Sequence, residues 1–384
     1  MSTLKRGGVA IVGVAESDLG EVAPGTSPID LMAQATQRAL TDAGMALSDI
    51  DAVFVASNQT RMPTQNVSEY LSLRPRYFES TNIGGASSLT QLAHAQAAIE
   101  AGLCNTALIT YASTQRSSSR AMAAPVEQFF YETAYRPLLP VGAYSLAASR
   151  HMFEYGTTRE HLAQVAVAAR QWALLNPVAW EKEPLTVEDV LNARMVSDPF
   201  GVRDCCLVND GGGAIIVTSA ARAKTLKKRP AYVLGIGEAM SHRNISCMPD
   251  FTKTAAIDSC KQAYSMAGLT VKEVDVVELY DCFTITPILF LEDLGFCPKG
   301  EGGRFVSGGH IAPGGGLPVN TTGGGLSYCH PGHYGILLLV EAVRQLRGEC
   351  GKRQTKDCEV ALAHGNGGVL STECTVLLGS PATL

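Results

Sequence analysis

Residues 39–53, ALTDAGMALSDIDAV, recur in altered form 224 positions later as AYSMAGLTVKEVDVV at residues 263–277. Each copy predicts the same succession of a helix that ends at a glycine, a polar turn and an apolar strand. Gly44 and Gly268 stand where a helix takes a left-handed cap, a conformation that glycine adopts without steric penalty. The same offset aligns GVAIVG at 8–13 with YVLGIG at 232–237, two short strand-like runs. The repeat therefore predicts two similar α/β halves in one chain.

The alternation of strand and helix signals favours parallel strands joined by right-handed crossovers. We predict an N-terminal half over residues 1–222 and a C-terminal half over 223–384, with an active site where the halves meet. An insertion at about 111–202 interrupts the first half. It carries helical periodicity, as in REHLAQVAVAAR at 159–170, and an insertion of this size is typical of a segment that shapes a substrate pocket.

A second, weaker repeat consists of two glycine-rich turns, each of which precedes an apolar helix. NIGGASS at 82–88 leads into a predicted helix at 89–101, and TGGGLSYCHP at 322–331 leads into one at 335–347. Such a turn presents backbone N–H groups to an anion or to a developing oxyanion. Glycines also serve close packing, so the pattern alone does not establish a site.

Composition excludes several classes of protein. The chain has 384 residues, 46% of them hydrophobic and 17% charged, and a formal net charge of −5, which is typical of a globular protein without a nucleic-acid-binding surface. No apolar run is long enough to span a membrane. The 11 cysteines show no paired spacing and the first residues no secretory pattern, so we expect reduced thiols in the cytoplasm. Without CxxC or HExxH, no metal site is predicted.

Seven segments in a fixed order resemble the thiolases of the sterol-carrier-protein-x branch. They are NIGGAS at 82–87, HMFEYGT at 151–157, NP at 176–177, DCCLVNDGGGA at 204–214, ELYDCF at 278–283, HP at 330–331 and HGNGG at 364–368. The resemblance implies the five-layered αβαβα thiolase fold, built from two βαβαβαββ halves, and a homodimer. It implies a substrate carried as an acyl-CoA thioester and no permanently bound cofactor. Some members of this branch work with a small partner that has an OB-fold and a zinc ribbon.

Ordinary thiolases use a cysteine nucleophile, an NEAF or HDCF segment, a GHP segment and a CxGGG segment. The present sequence departs from this pattern at most of these places. Gly85 stands at the nucleophile position, HDCF has become YDCF at 280–283, and His364 replaces the cysteine of CxGGG, whereas His330 is kept. Glycine supplies no nucleophile, so the usual thiolate attack on a 3-keto group is not expected.

The residues that remain suit a retro-aldol cleavage of a 3-hydroxyacyl thioester, which needs proton transfer and an oxyanion hole but no covalent nucleophile. On this hypothesis the resemblance assigns catalytic roles to Tyr280, His330, Tyr334 and His364. The backbone amides and polar groups that would hold the substrate oxygen belong to Asn82, Gly85, Ala86, Gly367 and Gly368.

Two other functions stay open at the level of sequence. The chain could be a true thiolase or acyltransferase that uses Ser87, activated by His364, or a displaced cysteine, Cys282 or Cys329. It could also be a non-catalytic carrier of acyl-CoA or lipid, or a scaffold subunit. A steroid, an aromatic or a fatty acyl group is compatible with the sequence under each of these functions.

Overall fold

A computed structural model describes residues 4–119 and 130–384. The strands are β1 Val9–Glu16, β2 Ala52–Val55, β3 Tyr77–Glu79, β4 Thr106–Thr114, β5 Met195–Ser197, β6 Phe200–Gly201, β7 Asp210–Ser219, β8 Ala231–Met240, β9 Val276–Leu279, β10 Val360–Gly367 and β11 Thr372–Gly379. The helices are α1 Pro28–Ala43, α2 Pro63–Tyr70, α3 Ser87–Glu100, α4 Phe130–Thr133, α5 Val141–Tyr155, α6 Arg159–Leu174, α7 Val187–Leu191, α8 Ala220–Ala223, α9 Ala256–Ala267, α10 Ile285–Asp293, α11 Gly302–Phe305 and α12 Gly335–Arg347. The predicted α/β class is confirmed.

Apart from the edge strand β3, the main sheet is symmetric about the contact between β1 and β8. Its nine strands run in the order β3-β2-β4-β7-β1-β8-β11-β10-β9. From the centre outward, β1-β7-β4-β2 in one half corresponds to β8-β11-β10-β9 in the other. The outermost pair of each series, β2 with β4 and β9 with β10, is parallel, and the other pairs are antiparallel. The repeat seen in the sequence is therefore a repeat of topology.

The helix caps of the two halves agree with the sequence offset. Gly44 ends α1 with φ 66°, and Gly268 ends α9 with φ 63°, both in the left-handed conformation. At the start of α1, Ser27 and Asp30 exchange side-chain and backbone hydrogen bonds as a capping box. Local signals of this kind act within one turn of the helix, which is why the sequence locates them correctly.

The opening strands align differently from the prediction. A bulge interrupts β1 at Val12 and β8 at Leu234, so Gly13 corresponds to Gly235 and not to Gly237. A Cβ on Gly13 would overlap the carbonyl oxygen of Ala39, and one on Gly235 would overlap that of Ala263. Each glycine thus lets its strand approach the equivalent residue of α1 or α9. The opening strands are therefore related by an offset of 222 residues, two fewer than the 224 that relates the helices.

Helices α3 and α12 lie between the two halves. Both are buried over most of their length, and they pack on each other and on strands of both halves. A Cβ on Gly335, the first residue of α12, would overlap the carbonyl oxygen of Gly85 and lie 2.7 Å from Leu89 Cδ1. The two glycine-rich turns predicted from sequence therefore meet at the N-terminal ends of these helices.

The segment between β4 and β7 carries α4 to α7 and the small hairpin β5-β6, and residues 120–129 within it lie outside the described ranges. The buried His151 of α5 places Nε2 3.0 Å from Glu292 on α10, a hydrogen-bond contact that joins this segment to the C-terminal half. The limits of the insertion and of the two halves stay predictions. Within the described residues, no helix is long and apolar enough to cross a membrane.

Candidate active site

The ring of Tyr280 lies against Gly85, the position that the resemblance assigns to the nucleophile. Gly85 lies in the turn Gly84–Ala86 that precedes α3, and Tyr280 follows the last residue of β9. A Cβ placed on Gly85 would overlap the Tyr280 ring and lie 2.6 Å from the carbonyl oxygen of Asn366. Three distant segments, each predicted as part of the site, thus converge on one point where no residue larger than glycine fits.

Tyr280 is 5% exposed and donates its hydroxyl hydrogen bond to the carbonyl oxygen of Gly332. Its ring meets the rings of His330 and Tyr334 edge to face, at centroid distances of 5.6 and 5.9 Å. Burial holds the pKa of Tyr280 well above that of a free phenol. The side chain is therefore a protonated donor at neutral pH, and ionising it within this site would be costly.

His330 lies in the loop that leads to α12. Its backbone N–H donates to Asn209 Oδ1 over 3.2 Å, and its ring stacks against Tyr334 at 5.9 Å. Its Nε2 is buried and has no hydrogen-bond partner among the described residues. Burial lowers the pKa of His330 to about 4, so the ring is neutral at physiological pH. A buried polar atom without a protein partner is a candidate contact for a substrate atom.

Tyr334 stands at the N-cap of α12, where its hydroxyl lies 3.3 Å from Thr322 Oγ1. Burial raises its pKa well above the usual value. The structure therefore brings together Tyr280, His330 and Tyr334, three of the side chains predicted as catalytic, beside Gly85.

Two residues of the site were missed from sequence. His333 is 4% exposed, stacks on Tyr111 at a centroid distance of 4.7 Å, and lies 3.0 Å from Asn58. Burial and the neighbouring His330 lower its pKa to about 4. Its position three residues after His330, in the same loop, was the signal that could have found it.

Asp281, the second missed residue, fixes the loop on which His330 depends. Its Oδ1 accepts a hydrogen bond of 2.6 Å from the Gly325 N–H, and its Oδ2 accepts one of 3.3 Å from the Leu326 N–H. These amides belong to the wide helical turn Gly324–Tyr328, just before His330. Burial raises the pKa of Asp281 to about 7, although both amides favour its ionised form.

Ser87 and Asn82 are engaged in the turn itself. The Ser87 hydroxyl donates to the carbonyl oxygen of Gly84 over 2.6 Å and accepts from the Ile83 N–H over 3.0 Å. Asn82 is exposed, and its side-chain oxygen accepts from the Gly84 N–H at 3.4 Å. Ser87 thus closes the start of α3 and has no histidine among its hydrogen-bond partners.

His364 lies within β10. Its Nδ1 lies 2.9 Å from Thr375 Oγ1, and its ring meets Phe290 at 4.6 Å. Its Nε2 is 3.1 Å from Glu373 Oε2, in an alignment that forms no regular hydrogen bond. Burial lowers the pKa of His364 to about 3.

The next residue of β10, Gly365, would direct a Cβ towards Leu89 and Ala86 of the central helix layer. Successive side chains of a strand point to opposite faces, so His364 points away from that layer. The structure does not group His364 with Ser87, and the pair expected from sequence is absent.

The glycines that follow His364 pack against the turn at Gly84. A Cβ on Gly367 would overlap the carbonyl oxygen of Ile83, and one on Gly84 would lie 2.8 Å from the Gly368 N–H nitrogen. Gly368 is exposed, and its carbonyl oxygen accepts from Tyr144 over 3.2 Å. Both glycines therefore border the site at a point where the two backbones pack so closely that a side chain would not fit between them.

The two candidate thiols are poorly suited to attack. Cys282 and Cys329 are both buried, and burial raises the pKa of Cys282 to about 12 and that of Cys329 further. A thiolate is the reactive form of cysteine, so neither side chain is activated. Over residues 4–119 and 130–384, no group of three or more histidine, cysteine or acidic residues is arranged to hold a metal ion.

Comparison with known proteins identifies the family of the chain. Residues 237–380 match the family described as thiolase C-terminal domain-like. The chain is 34% identical to an acetyl-CoA acetyltransferase of Methanothermobacter thermautotrophicus, over 95% of this chain and 97% of that protein. It is 32% identical to the 17-hydroxy-3-oxo-4-pregnene-20-carboxyl-CoA lyase of Mycobacterium tuberculosis, over 89% of this chain and 92% of that one.

Solved structures give the same result. The structure titled Ltp2-ChsH2(DUF35) aldolase superposes with a TM-score of 0.89 at 29% identity, and the match covers 100% of both chains. Human mitochondrial 3-ketoacyl-CoA thiolase superposes with a TM-score of 0.73 at 15% identity, covering 99% of this chain and 100% of that one, which shows the fold alone. The thiolase fold expected from the sequence is confirmed.

Proposed function

Since the chain belongs to the thiolase superfamily, we propose that it breaks or makes a C–C bond next to an acyl-CoA thioester by a retro-aldol route without a covalent nucleophile. The observation that carries this proposal is the overlap between the Tyr280 ring and any side chain at position 85. Because the ring occupies that place, no nucleophilic side chain can stand at position 85.

The reaction needs one proton to leave the 3-hydroxyl group and one to reach C2. As the hydroxyl becomes a carbonyl group, the C2–C3 bond breaks, its electron pair develops as the thioester enolate, and C2 takes a proton in the same step. A neutral phenol balances this step, because its oxygen takes the hydroxyl proton while its own proton passes to C2. We assign that role to Tyr280, whose raised pKa keeps it protonated.

The enolate oxygen needs a hydrogen-bond donor that is fixed before the reaction. His330 is neutral, held by the loop and by stacking, and its Nε2 has no protein partner among the described residues. We assign it to the thioester oxygen. A preorganised donor of this kind contributes on the order of 3–4 kcal/mol to the stabilisation of the transition state.

A second candidate function is acyl transfer of the thiolase type, favoured by the 34% identity to an acetyl-CoA acetyltransferase. It would require an acyl-enzyme on Ser87 or on a cysteine. The Ser87 hydroxyl is occupied within its own turn, and the pKa values of Cys282 and Cys329 are raised. These contacts support the retro-aldol route over acyl transfer.

We also propose that the protein acts as a homodimer together with a small partner subunit. The neighbour that matches over 100% of its length is titled as an aldolase with ChsH2(DUF35), and the resemblance implies a partner with an OB-fold and a zinc ribbon. Strand β3 forms an open edge of the sheet, and its Phe78 is 61% exposed. Coenzyme A would enter only as part of the substrate.

Mass-spectrometric product analysis tests the function directly. One sample receives branched 3-hydroxyacyl-CoA thioesters, and the other receives 3-ketoacyl-CoA thioesters with free coenzyme A. Cleavage in the first sample alone is the expected result. Cleavage in the second alone, with an acyl adduct on serine or cysteine, would establish the thiolase reaction. Binding without cleavage in either sample, also with a candidate partner subunit present, would indicate a carrier.

A further inference from the structure

The side chain of His333 is fixed by a chain of amide groups that begins at the protein backbone. Asn82 Nδ2 lies 3.2 Å from the carbonyl oxygen of Ser57, and Asn82 Oδ1 accepts from the Gly84 N–H at 3.4 Å. A carbonyl oxygen can only accept and an N–H can only donate, so the two backbone groups decide which end of the Asn82 amide is nitrogen.

The next two links follow from the same rule. Asn82 Nδ2 donates to Asn58 Oδ1 over 2.9 Å, and this contact orients the Asn58 amide. Asn58 Nδ2 then faces His333 Nε2 at 3.0 Å. Since an amide nitrogen has hydrogens but no lone pair to offer, His333 Nε2 must accept. The neutral ring therefore carries its hydrogen on Nδ1.

That Nδ1–H group is a buried donor with no acceptor among the described residues. The side chain is 4% exposed, and its ring is held against Tyr111. The Tyr111 hydroxyl donates over 2.7 Å to the carbonyl oxygen of Pro331, next to the Gly332 carbonyl that accepts from Tyr280. Leaving a buried donor unsatisfied is unfavourable, and a bound acceptor removes that cost.

We propose that His333 Nδ1–H is a second hydrogen-bond donor to the carbonyl oxygen of the acyl thioester, beside His330, with Asn58 setting its tautomer. The inference deepens the proposed function by naming a further substrate-binding residue and the atom that it contacts. Two fixed neutral donors on one loop would share the charge that develops on the enolate oxygen.

The tautomer is tested first, by ¹⁵N NMR on protein labelled at the histidine ring nitrogens, with the His333 signals assigned from His333→Phe. The expected spectrum shows the hydrogen on Nδ1. In Asn58→Asp a carboxylate oxygen would face Nε2, so the hydrogen is expected to move there. A wild-type spectrum with the hydrogen on Nε2 would overturn the proposal. This readout does not depend on turnover, so it stands apart from the success of the proposed function.

Contact with the substrate is tested in the same spectra with two ligands. Propionyl-CoA has the thioester oxygen, and propyl-CoA thioether lacks it. We expect the His333 Nδ1 signal to shift with the thioester and to stay in place with the thioether, whereas an unchanged signal in the presence of bound thioester contradicts the contact.

A kinetic comparison completes the test. His333→Phe keeps the stacking on Tyr111 and is expected to lower kcat about ten- to a hundredfold with little change in KM. His310→Phe, which alters a histidine whose ring meets Phe305 edge to face at 4.5 Å, serves as the control and should retain wild-type turnover. If His333→Phe turns over like wild type in the reaction that the enzyme performs, His333 does not contact the reacting oxygen.

Discussion

The ring of Tyr280 occupies the space into which a side chain at Gly85 would project. This relationship joins the turn before α3 to the end of β9, and neither segment shows it alone. It places a protonated phenol against Gly85, the position that the resemblance assigns to the nucleophile. The contact predicts the effect of adding even a single methyl group at position 85.

Gly85→Ala should destabilise the protein by about 1–3 kcal/mol, since an added Cβ cannot fit beside the ring and the Asn366 carbonyl oxygen. The Tm from differential scanning fluorimetry is expected to fall by several degrees. Gly142→Ala is the control, because an added Cβ there meets nothing nearer than 3.9 Å. The double variant Gly85→Ala/Tyr280→Ala should lose less stability than the two single changes combined, and strict additivity would show that the residues do not compete for space.

His330→Ala should lower turnover at least about a hundredfold, because it removes a donor from the oxyanion. The measurement is kcat with a 3-hydroxyacyl-CoA thioester. His310→Ala provides a comparison outside the site. A loss of less than about threefold would remove His330 from the mechanism.

Ser87→Ala should keep turnover within about threefold of wild type and lower stability by about 1 kcal/mol, since the hydroxyl serves the turn at Gly84. Intact-protein mass spectrometry after incubation with an acyl-CoA thioester should show no acyl adduct in either protein. An adduct in wild type that disappears in the variant would instead establish Ser87 as a nucleophile.

Asp281→Asn should lower kcat at least about tenfold. Asparagine presents one NH₂ group where the carboxylate now accepts from two amides, so the Gly325 or Leu326 N–H would face a second donor and the loop before His330 would shift. Asp258→Asn, at a side chain that is 70% exposed, is the matched control. Unchanged kcat in Asp281→Asn would show that this anchor does not position His330.

The buried neutral histidines predict a loss of stability in mild acid. The pKa of His364 is lowered to about 3, so between the ordinary histidine pKa and that value the unfolded chain binds a proton that the folded protein does not. The contribution is fully present above about pH 6.5 and is lost as the pH falls. Asp281, with its raised pKa, acts in the opposite direction between about pH 7 and 4, so one variant must isolate the histidine effect.

The variant His364→Gln isolates the histidine effect. The Tm values of wild type and variant are compared at several pH values. The Tm of wild type should fall relative to that of the variant as the pH decreases from 7 to 4. The constant difference caused by the substitution itself cancels in this comparison. Parallel curves would mean that His364 is protonated in the folded protein.

The sequence by itself determined the two-fold repeat, the glycine caps of α1 and α9, and the bounds of α12. The caps and helix bounds depend on residues within one or two turns of each other, where a local pattern is sufficient. The repeat is found by comparing two such local patterns. It also selected Tyr280, His330 and Tyr334, which the structure brings together. These residues were selected because of where the motifs fall along the chain.

Only the tertiary structure decided which way the side chains of the site point. The pairing of β10 with β9 and β11 directs His364 to the outer face, away from Ser87, and no local pattern contains this register. The amide chain from Ser57 to His333 crosses about 275 residues, and the filling of the space at Gly85 joins residues 195 positions apart. Such contacts depend on how distant elements pack, because a side chain finds its partners only when the backbone that carries it has been placed.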